Sequence, residues 1–233
     1  MKAGDSVNRC HSIGASCNRS KRVHRRSYRH WTPRYLVDRL RLEFYERLHP
    51  DHPWLTKSAN AILQSCLKNE FVGLEFGSGR STLWFARRVR HLTSIEHDPV
   101  WFKRVTAMLA ATNVSNVAQL LKEVDRCEQE AATTGYVRVL DDFAAESLDF
   151  VLVDGVYRAA CANEAIDKLR PGGMMILDNV NWYLPCDSRA PNSRRPEQGP
   201  VSDDWARFEQ SVSTWRRDWT SSGVTDTAIF YKP

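Results

Sequence analysis

The sequence lacks the long apolar runs that would place it in a membrane. No uninterrupted apolar stretch approaches the ~18 residues that a transmembrane helix requires. No hydrophobic signal-peptide core is found near the first residues. The hydrophobic fraction, 42%, is ordinary for a globular protein. We therefore expect a globular protein with no membrane partner.

The sequence also lacks a paired cysteine framework. Its six cysteines are scattered, at positions 10, 17, 66, 127, 161 and 186. This scatter favours free thiols in a reducing compartment, and we expect a cytoplasmic protein. Several cysteines and histidines lie near the N-terminus, but their spacing matches no common zinc finger: Cys10, His11, Cys17, His24 and His30.

Acidic residues are nearly absent from the first 34 positions. Asp5 stands there against nine lysines and arginines, which gives this segment a charge of +8, whereas the whole chain carries +5. The segment has low hydrophobicity and no periodicity, so we predict disorder up to about Trp31. One alternative is that the segment is solvated and has no binding function. Another is that it is a basic arm that binds nucleic acid or acidic surfaces. An organelle transit peptide is a third alternative, although no clear amphipathic face is present.

Two helices are predicted between this tail and the first strand. The first helix has an apolar face and is broken by Pro50 and Pro53. The second is capped by Thr56 or Ser58. The apolar positions at helical spacing are Val37, Leu40, Phe44 and Leu48, then Ala59, Ile62, Leu63 and Cys66. We divide the chain into a basic tail (1–34), a helical cap (35–70) and a main domain (71–233).

The stretch FVGLEFGSGRST, residues 71–82, predicts a buried strand, a glycine turn and a helix. This layout lets the backbone approach a ligand closely and turns helix N–H groups toward it. A dinucleotide-binding turn would carry a third glycine where Thr82 stands, which argues against NAD or FAD. A carboxylate, Glu75, instead lies two residues before Gly77. A neutral turn beside a carboxylate suits a ligand with an ammonium and a sulfonium group.

A second acidic landmark follows the next predicted strand, 91–95. Glu96 ends it, about 20 residues beyond the glycine turn, where an acid can bind both hydroxyls of a ribose. Asp98 and Pro99 have the pattern of a helix N-cap followed by proline at the first helical position. His97 is interpreted as structural or adjacent to the adenosine, with no catalytic role.

Strands and helices then alternate. Further strands are predicted at 117–124, 148–153 and 174–177, with two closing strands at 213–220 and 225–231. This alternation indicates an α/β fold with a mostly parallel sheet and helices on both faces. Ligands bind outside the carboxyl ends of such strands. Glu75, Glu96, Asp154 and the pair Asp178-Asn179 all fall there.

The spacing Glu75-x-Gly77-x-Gly79 resembles the first motif of class I S-adenosylmethionine (SAM)-dependent methyltransferases, with Ser81 in place of the family's last glycine. The resemblance covers roughly residues 71–233. It implies a Rossmann-like sheet of seven strands with an antiparallel last strand. It also implies SAM as cofactor, bound by Glu75, Gly77, Ser78, Gly79, Ser81, Glu96, His97 and Asp154.

The runs 153–155 and 172–182 resemble metal-dependent O-methyltransferases of the caffeoyl-CoA type. There, an Asp after the fourth strand and an Asp-Asn pair after the fifth bind a divalent cation. The resemblance implies Mg²⁺ or Mn²⁺ on Asp154, Asp178 and Asn179, with Asp154 as the candidate catalytic base for a hydroxyl acceptor. Residues 155–158 depart from that pattern. The alternatives are that Asp154 closes the methionine end of the SAM site and that Asp178-Asn179 is only a turn.

The acceptor is expected to be a small molecule that receives a methyl group on oxygen. A loop at 183–204 contains four prolines, and we expect it to cover the acceptor site. A nucleic-acid methyltransferase that uses the basic tail remains an alternative, although no Asn-Pro-Pro-Tyr-type sequence follows the fourth strand. A second alternative is a homologue that binds SAM without transferring its methyl group.

Overall fold

Residues 31–124 and 128–233 are described by a computed structural model. The disorder predicted for the basic tail falls on residues 1–30, which lie outside the described part. In the described chain, the helices are α1 (Pro33–Leu48), α2 (Lys57–Cys66), α3 (Arg80–Ala86), α4 (Pro99–Ala111), α5 (Arg158–Ala165) and α6 (Asp203–Ser211). The strands are β1 (Val72–Phe76), β2 (His91–Glu96), β3 (Val117–Leu121), β4 (Leu148–Val153), β5 (Leu169–Asp178), β6 (Arg216–Ser221) and β7 (Asp226–Tyr231).

The seven strands form one sheet in the order β3-β2-β1-β4-β5-β7-β6. Strands β1 to β5 pair in parallel, and β7 is antiparallel to both of its neighbours. The predicted Rossmann-like sheet with an antiparallel last strand is confirmed. The strand order reverses beside β1, because β2 and β4 lie on its two sides. A crevice at the carboxyl ends is expected at such a point.

Helices cover both faces of this sheet. All six residues of β4 are buried, as expected for a central parallel strand. Phe150 and Leu152 pack on the face covered by α2 and α3. Val151 and Val153 point the other way, into the cluster that includes α5 and α6.

Two predicted helix caps are present. Thr56 accepts a hydrogen bond from Ala59 N at 3.2 Å and begins α2. Asp98 Oδ1 accepts from Trp101 N at 2.9 Å and from Val100 N at 2.8 Å, with Pro99 at the first helical position of α4. These bonds favour the ionised carboxylate, so the pKa of Asp98 lies below its usual value.

The apolar face predicted for α1 points away from the domain. Leu40 is 66% exposed and Phe44 64%, and α1 contains no buried residue. Its inner side is set instead by residues such as Tyr45, whose hydroxyl lies 2.7 Å from His52 Nδ1. The helical spacing therefore predicted which residues of α1 share a face, but not whether that face points toward the domain or toward solvent. No helix within 31–124 and 128–233 is long and apolar enough to cross a membrane.

The fifth strand begins earlier than predicted. β5 starts at Leu169 rather than at Met174, and the Pro171-Gly172-Gly173 segment lies inside it. The register shifts there, because Leu148 pairs with Leu169 while Phe150 pairs with Met174. An irregularity of this kind accommodates proline and glycine without ending the strand. The ambiguous stretch 136–143 contains a short 3₁₀ helix, Arg138–Asp142.

Candidate functional site

A cleft lies at the carboxyl ends of β1, β2 and β4, where the strand order reverses. We call it the cofactor cleft; its volume is about 350 Å³. Seven of the eight predicted cofactor residues line it: Gly77, Ser78, Gly79, Ser81, Glu96, His97 and Asp154. The remaining lining residues are Pro53, Trp54, Leu55, Arg80, Asp98, Trp101 and Gly155.

Backbone conformation explains the first glycine of the turn. Gly77 has φ of +98°, a region that side chains disfavour. A Cβ atom there would also lie 2.9 Å from the Asp154 carbonyl carbon and from Gly155 N. Gly77 therefore lets the ends of β1 and β4 meet closely beside the cleft.

Thr82 stands where a dinucleotide-binding turn would have glycine, and it has a structural function of its own. Its hydroxyl accepts from Gly79 N at 2.9 Å and donates to the carboxylate of Glu75. Ser94 Oγ also donates to Glu75 Oε1, at 2.6 Å. Thr82 and Glu75 thereby fasten the turn to β1 and β2.

Glu75 does not line the cleft, in contrast to the contact expected from the sequence. Its side chain is fully buried beneath the turn, and burial raises its pKa to about 7. Oε2 has no hydrogen-bond partner in the described part of the chain. Because its polar contacts lie inside the fold, Glu75 shapes the turn from below.

Glu96, unlike Glu75, lines the cofactor cleft. Its Oε1 accepts from His97 N at 2.7 Å and from Asp98 N at 2.9 Å, and its Oε2 accepts from Ser78 N at 3.1 Å. The His97 ring lies beside it, with Nδ1 2.9 Å from Oε1. These backbone donors fix the carboxylate at the end of β2, and its contact with a ribose stays a prediction.

The predicted metal ligands do converge at the ends of β4 and β5, but an arginine lies between them. Arg158 Nη2 donates to Asp154 Oδ1 at 2.8 Å, and Nη1 donates to Asn179 Oδ1 at 3.2 Å. Asp178 Oδ1 accepts from Thr227 Oγ1 at 2.8 Å.

The predicted metal site is corrected on this basis, because a guanidinium already bonds the oxygens that a Mg²⁺ or Mn²⁺ ion would need. Within residues 31–124 and 128–233, no group of three or more His, Cys, Asp or Glu side chains could hold a metal ion. These residues therefore do not fit a divalent cation.

Both carboxyl groups at this end of the sheet have raised pKa values. Burial raises the pKa of Asp154, and the Arg158 guanidinium opposes that shift. Burial also raises the pKa of Asp178, to about 8, with a further contribution from the neighbouring Asp154. Two carboxylates beside one guanidinium are not fully neutralised, so a proton on one of them is favoured.

The family model described as "Methyltransferase domain" matches residues 74–180. These residues span β1 to the end of β5 and contain the turn, Glu96 and Asp154. The chain carries a class I SAM-dependent methyltransferase domain. No curated protein matches the sequence.

Solved structures share the fold of this methyltransferase at low identity. A methyltransferase-like protein from Silicibacter pomeroyi has a TM-score of 0.52 at 17% identity, covering 78% of this chain and 89% of that one. A Streptococcus mutans protein, solved in complex with SAH, has 0.50 at 9%, covering 76% and 97%. An rRNA methylase from Streptococcus thermophilus has 0.50 at 10%, covering 75% and 94%.

Sequence reasoning missed an aromatic and cationic wall of the cofactor cleft. The rings of Trp54 and Trp101 lie nearly parallel, with centroids 6.4 Å apart, and the Arg80 guanidinium lies 4.9 Å from the Trp54 ring. Arg80 Nη1 is buried without a hydrogen-bond partner among the described residues. Arg80 directly follows the glycine turn, so its position in the sequence already indicated that it lies beside the cleft. Trp54 precedes α2, and no local signal places it over the cleft.

A second cleft of the methyltransferase, about 660 Å³, lies on the other side of Gly155. We call it the second cleft. Its lining consists of Glu128, Gly155, Val156, Tyr157, Arg158, Ala159, Tyr183, Val201, Ser202, Asp203, Asp204 and Trp205. The Tyr183 and Trp205 rings stack with their centroids 4.7 Å apart. Both ends of the loop 183–204 contribute residues to this lining. Gly155 lines both clefts, so a ligand in each would meet there.

Proposed function

We propose that this methyltransferase transfers the methyl group of SAM to an oxygen of a small-molecule acceptor. The observation that carries the proposal is that Gly155 lines both clefts and that Asp154, the residue before it, lines the cofactor cleft. SAM, when bound, supplies an electrophilic methyl group on a sulfonium. An acceptor in the second cleft would approach that methyl group past Gly155, which lines both clefts. Alignment of this kind can supply much of the rate acceleration.

Several contacts support SAM in the cofactor cleft. Glu96 presents a fixed carboxylate for the two ribose hydroxyls, held by three backbone N–H groups. The turn at Gly77, Ser78 and Gly79 brings neutral backbone close to the ligand. The unpartnered Nη1 of Arg80 is available to the carboxylate of the methionine part. His97 and Ser81 complete the polar lining.

Asp154 is the candidate base for an unactivated hydroxyl. It lines the cofactor cleft and adjoins Gly155, and burial raises its pKa toward the range in which a carboxylate accepts a proton effectively. Its Oδ1 is held by Arg158, whereas no hydrogen bond from the described residues ties Oδ2. Oδ2 is therefore the atom that would accept the proton.

If the second cleft binds the acceptor, its lining favours a small molecule over nucleic acid. Its volume is within the range typical of small-molecule sites. Tyr183 and Trp205 offer aromatic surface, and Glu128, Asp203 and Asp204 give the rim a negative charge. Those carboxylates would repel phosphates, so we expect a neutral or cationic acceptor. The three free cysteines among the described residues agree with a cytoplasmic location.

The experiment is incubation of the protein and methyl-labelled SAM with a metabolite extract, followed by mass spectrometry. We expect label in a low-molecular-mass product with the protein and none with Asp154→Asn. Label in RNA or DNA instead, lost when residues 1–30 are deleted, would favour the nucleic-acid alternative. SAM binding without label in any fraction would favour a non-catalytic homologue.

A further inference from the structure

All five N–H bonds of the Arg158 guanidinium are directed at oxygen atoms of the two strand ends. Nε donates to Gly155 O at 2.9 Å, and Nη2 donates to Asp154 O at 3.0 Å as well as to Oδ1. Nη1 donates to Asp178 O at 2.6 Å as well as to Asn179 Oδ1. An arginine has five such donors. No donor therefore remains for an acceptor molecule.

The oxygens that surround Arg158 are of the kind that hold a hard cation. They comprise one carboxylate oxygen, one amide oxygen and three backbone carbonyl oxygens, all directed at one positive group. We infer that Arg158 is a built-in cation that takes the place of a divalent metal ion, so that methyl transfer by this chain is metal-independent. The statement about methyl transfer rests on the proposed function, whereas the position of Arg158 does not depend on it.

The Asp178 carboxyl group is bonded separately from the Arg158 guanidinium. Its Oδ1 accepts from Thr227 Oγ1 at 2.8 Å. Arg158 donates to the backbone carbonyl of Asp178 rather than to its side chain. The guanidinium therefore places its single positive charge against one carboxylate side chain, that of Asp154.

The local fold holds Arg158 in place. Its side chain is 14% exposed and lies over the Tyr183 ring at 5.9 Å. Tyr157, just before it, adopts the left-handed conformation with φ of +51°, and α5 then begins at Arg158 itself. Arg158 thus fixes Asp154 at the cofactor cleft, beside Gly155, and has no free N–H group to donate to a ligand. It is a positioning residue.

The test is Mn²⁺ binding followed by electron paramagnetic resonance. We expect no specific Mn²⁺ binding to the wild type. Arg158→Ala uncovers the oxygens and should bind Mn²⁺ at least roughly tenfold more tightly than the wild type, and a second change, Asp154→Asn, should remove the gain. Arg158→Lys keeps the charge and should not bind Mn²⁺. Calorimetry with SAM on each variant reports whether the neighbouring cofactor cleft is intact.

Arg170→Ala is the matched control. Arg170 also pairs with a buried carboxylate, Asp149, but at the opposite end of β4, and no carbonyl group of the described residues accepts a hydrogen bond from it. That variant should gain no Mn²⁺ binding. Mn²⁺ binding to the wild type that Asp154→Asn abolishes would overturn the inference. A folded Arg158→Ala protein that binds no more Mn²⁺ than the wild type would also overturn it. Failure of SAM to bind the wild type would instead count against the proposed function alone.

Discussion

Glu96 joins two parts of the cofactor cleft, the glycine turn and the residues that follow β2. Its carboxylate accepts from the glycine turn through Ser78 N and from the residues after β2 through His97 N and Asp98 N. Hydrogen bonds to an ionised acceptor are stronger than neutral ones. Loss of this carboxylate should therefore affect both the preformed cleft and any ribose bound in it.

Glu96→Ala is predicted to weaken SAM binding by ~1–3 kcal/mol, because a charged hydrogen-bond acceptor is removed. Isothermal calorimetry with SAM and with SAH measures the change. Glu70→Ala is the control, since Glu70 is exposed and lies before β1. NAD should not bind either protein. An unchanged SAM affinity in Glu96→Ala would contradict the role of this carboxylate.

Arg80→Ala is predicted to weaken SAM binding roughly tenfold or more, because a carboxylate would lose a charged partner. Methylthioadenosine lacks the amino acid part of SAM, so its affinity should change far less. Arg104→Ala is the matched control, because Arg104 lies over Trp101 in the same way but does not line the cofactor cleft. Equal losses for both ligands would show that Arg80 acts by packing on Trp54.

Glu75 is predicted to make stability fall as pH rises. Its folded pKa of about 7 lies above the ordinary value of 4.5, so the folded protein keeps a proton that the unfolded chain releases between those values. The free energy of unfolding should decrease across that window by up to ~1.4 kcal/mol per pH unit from this group. Urea denaturation of the wild type and of Glu75→Gln at several pH values measures it. An identical slope in the variant would refute the assignment.

The residue types of the site were readable from the sequence, but their contacts were not. Glu96 was found because an acid after the second strand has a known relation to the glycine turn. Glu75 was assigned a ligand contact, whereas Thr82 and Ser94 bond it from inside the fold. Arg158 was treated only as a departure from a metal-binding pattern. Its function depends on five oxygens from two strands, which no local spacing reveals.

At the scale of elements, α1 and α2 show what a periodic apolar pattern establishes. Both helices were predicted from such patterns, and both exist within a few residues of the expected bounds. In α2 the pattern faces the sheet, where Leu63 is fully buried. In α1 it faces outward. Periodicity determines which residues share a face, while the neighbouring elements decide what that face meets.

This contrast gives a stability prediction. Leu63→Ala should lower the free energy of unfolding by ~2–5 kcal/mol, because a buried side chain leaves a cavity. Leu40→Ala, the same change on the exposed face of α1, should cost less than about 0.5 kcal/mol. Chemical denaturation of both variants measures the difference. A comparable loss for Leu40→Ala would show that the outer face of α1 is covered in solution.

At the scale of the whole molecule, the type of sheet was predictable, because strands alternate with helices and acidic residues follow several of the strands. The match at residues 74–180 and the seven-stranded sheet agree with that prediction. The division between two clefts was not predictable. It depends on Gly155, which lies where β1 and β4 meet and lines both cavities. Gly155 takes this position only when β1 and β4 are paired in the assembled sheet.

The central claim is metal-independent methyl transfer from SAM to a small molecule through the two clefts. It is tested most directly by mass spectrometry of a metabolite extract incubated with methyl-labelled SAM and excess EDTA. The account predicts a labelled low-molecular-mass product that persists in EDTA and disappears with Asp154→Asn. A labelled product that EDTA abolishes and Mg²⁺ restores would contradict it.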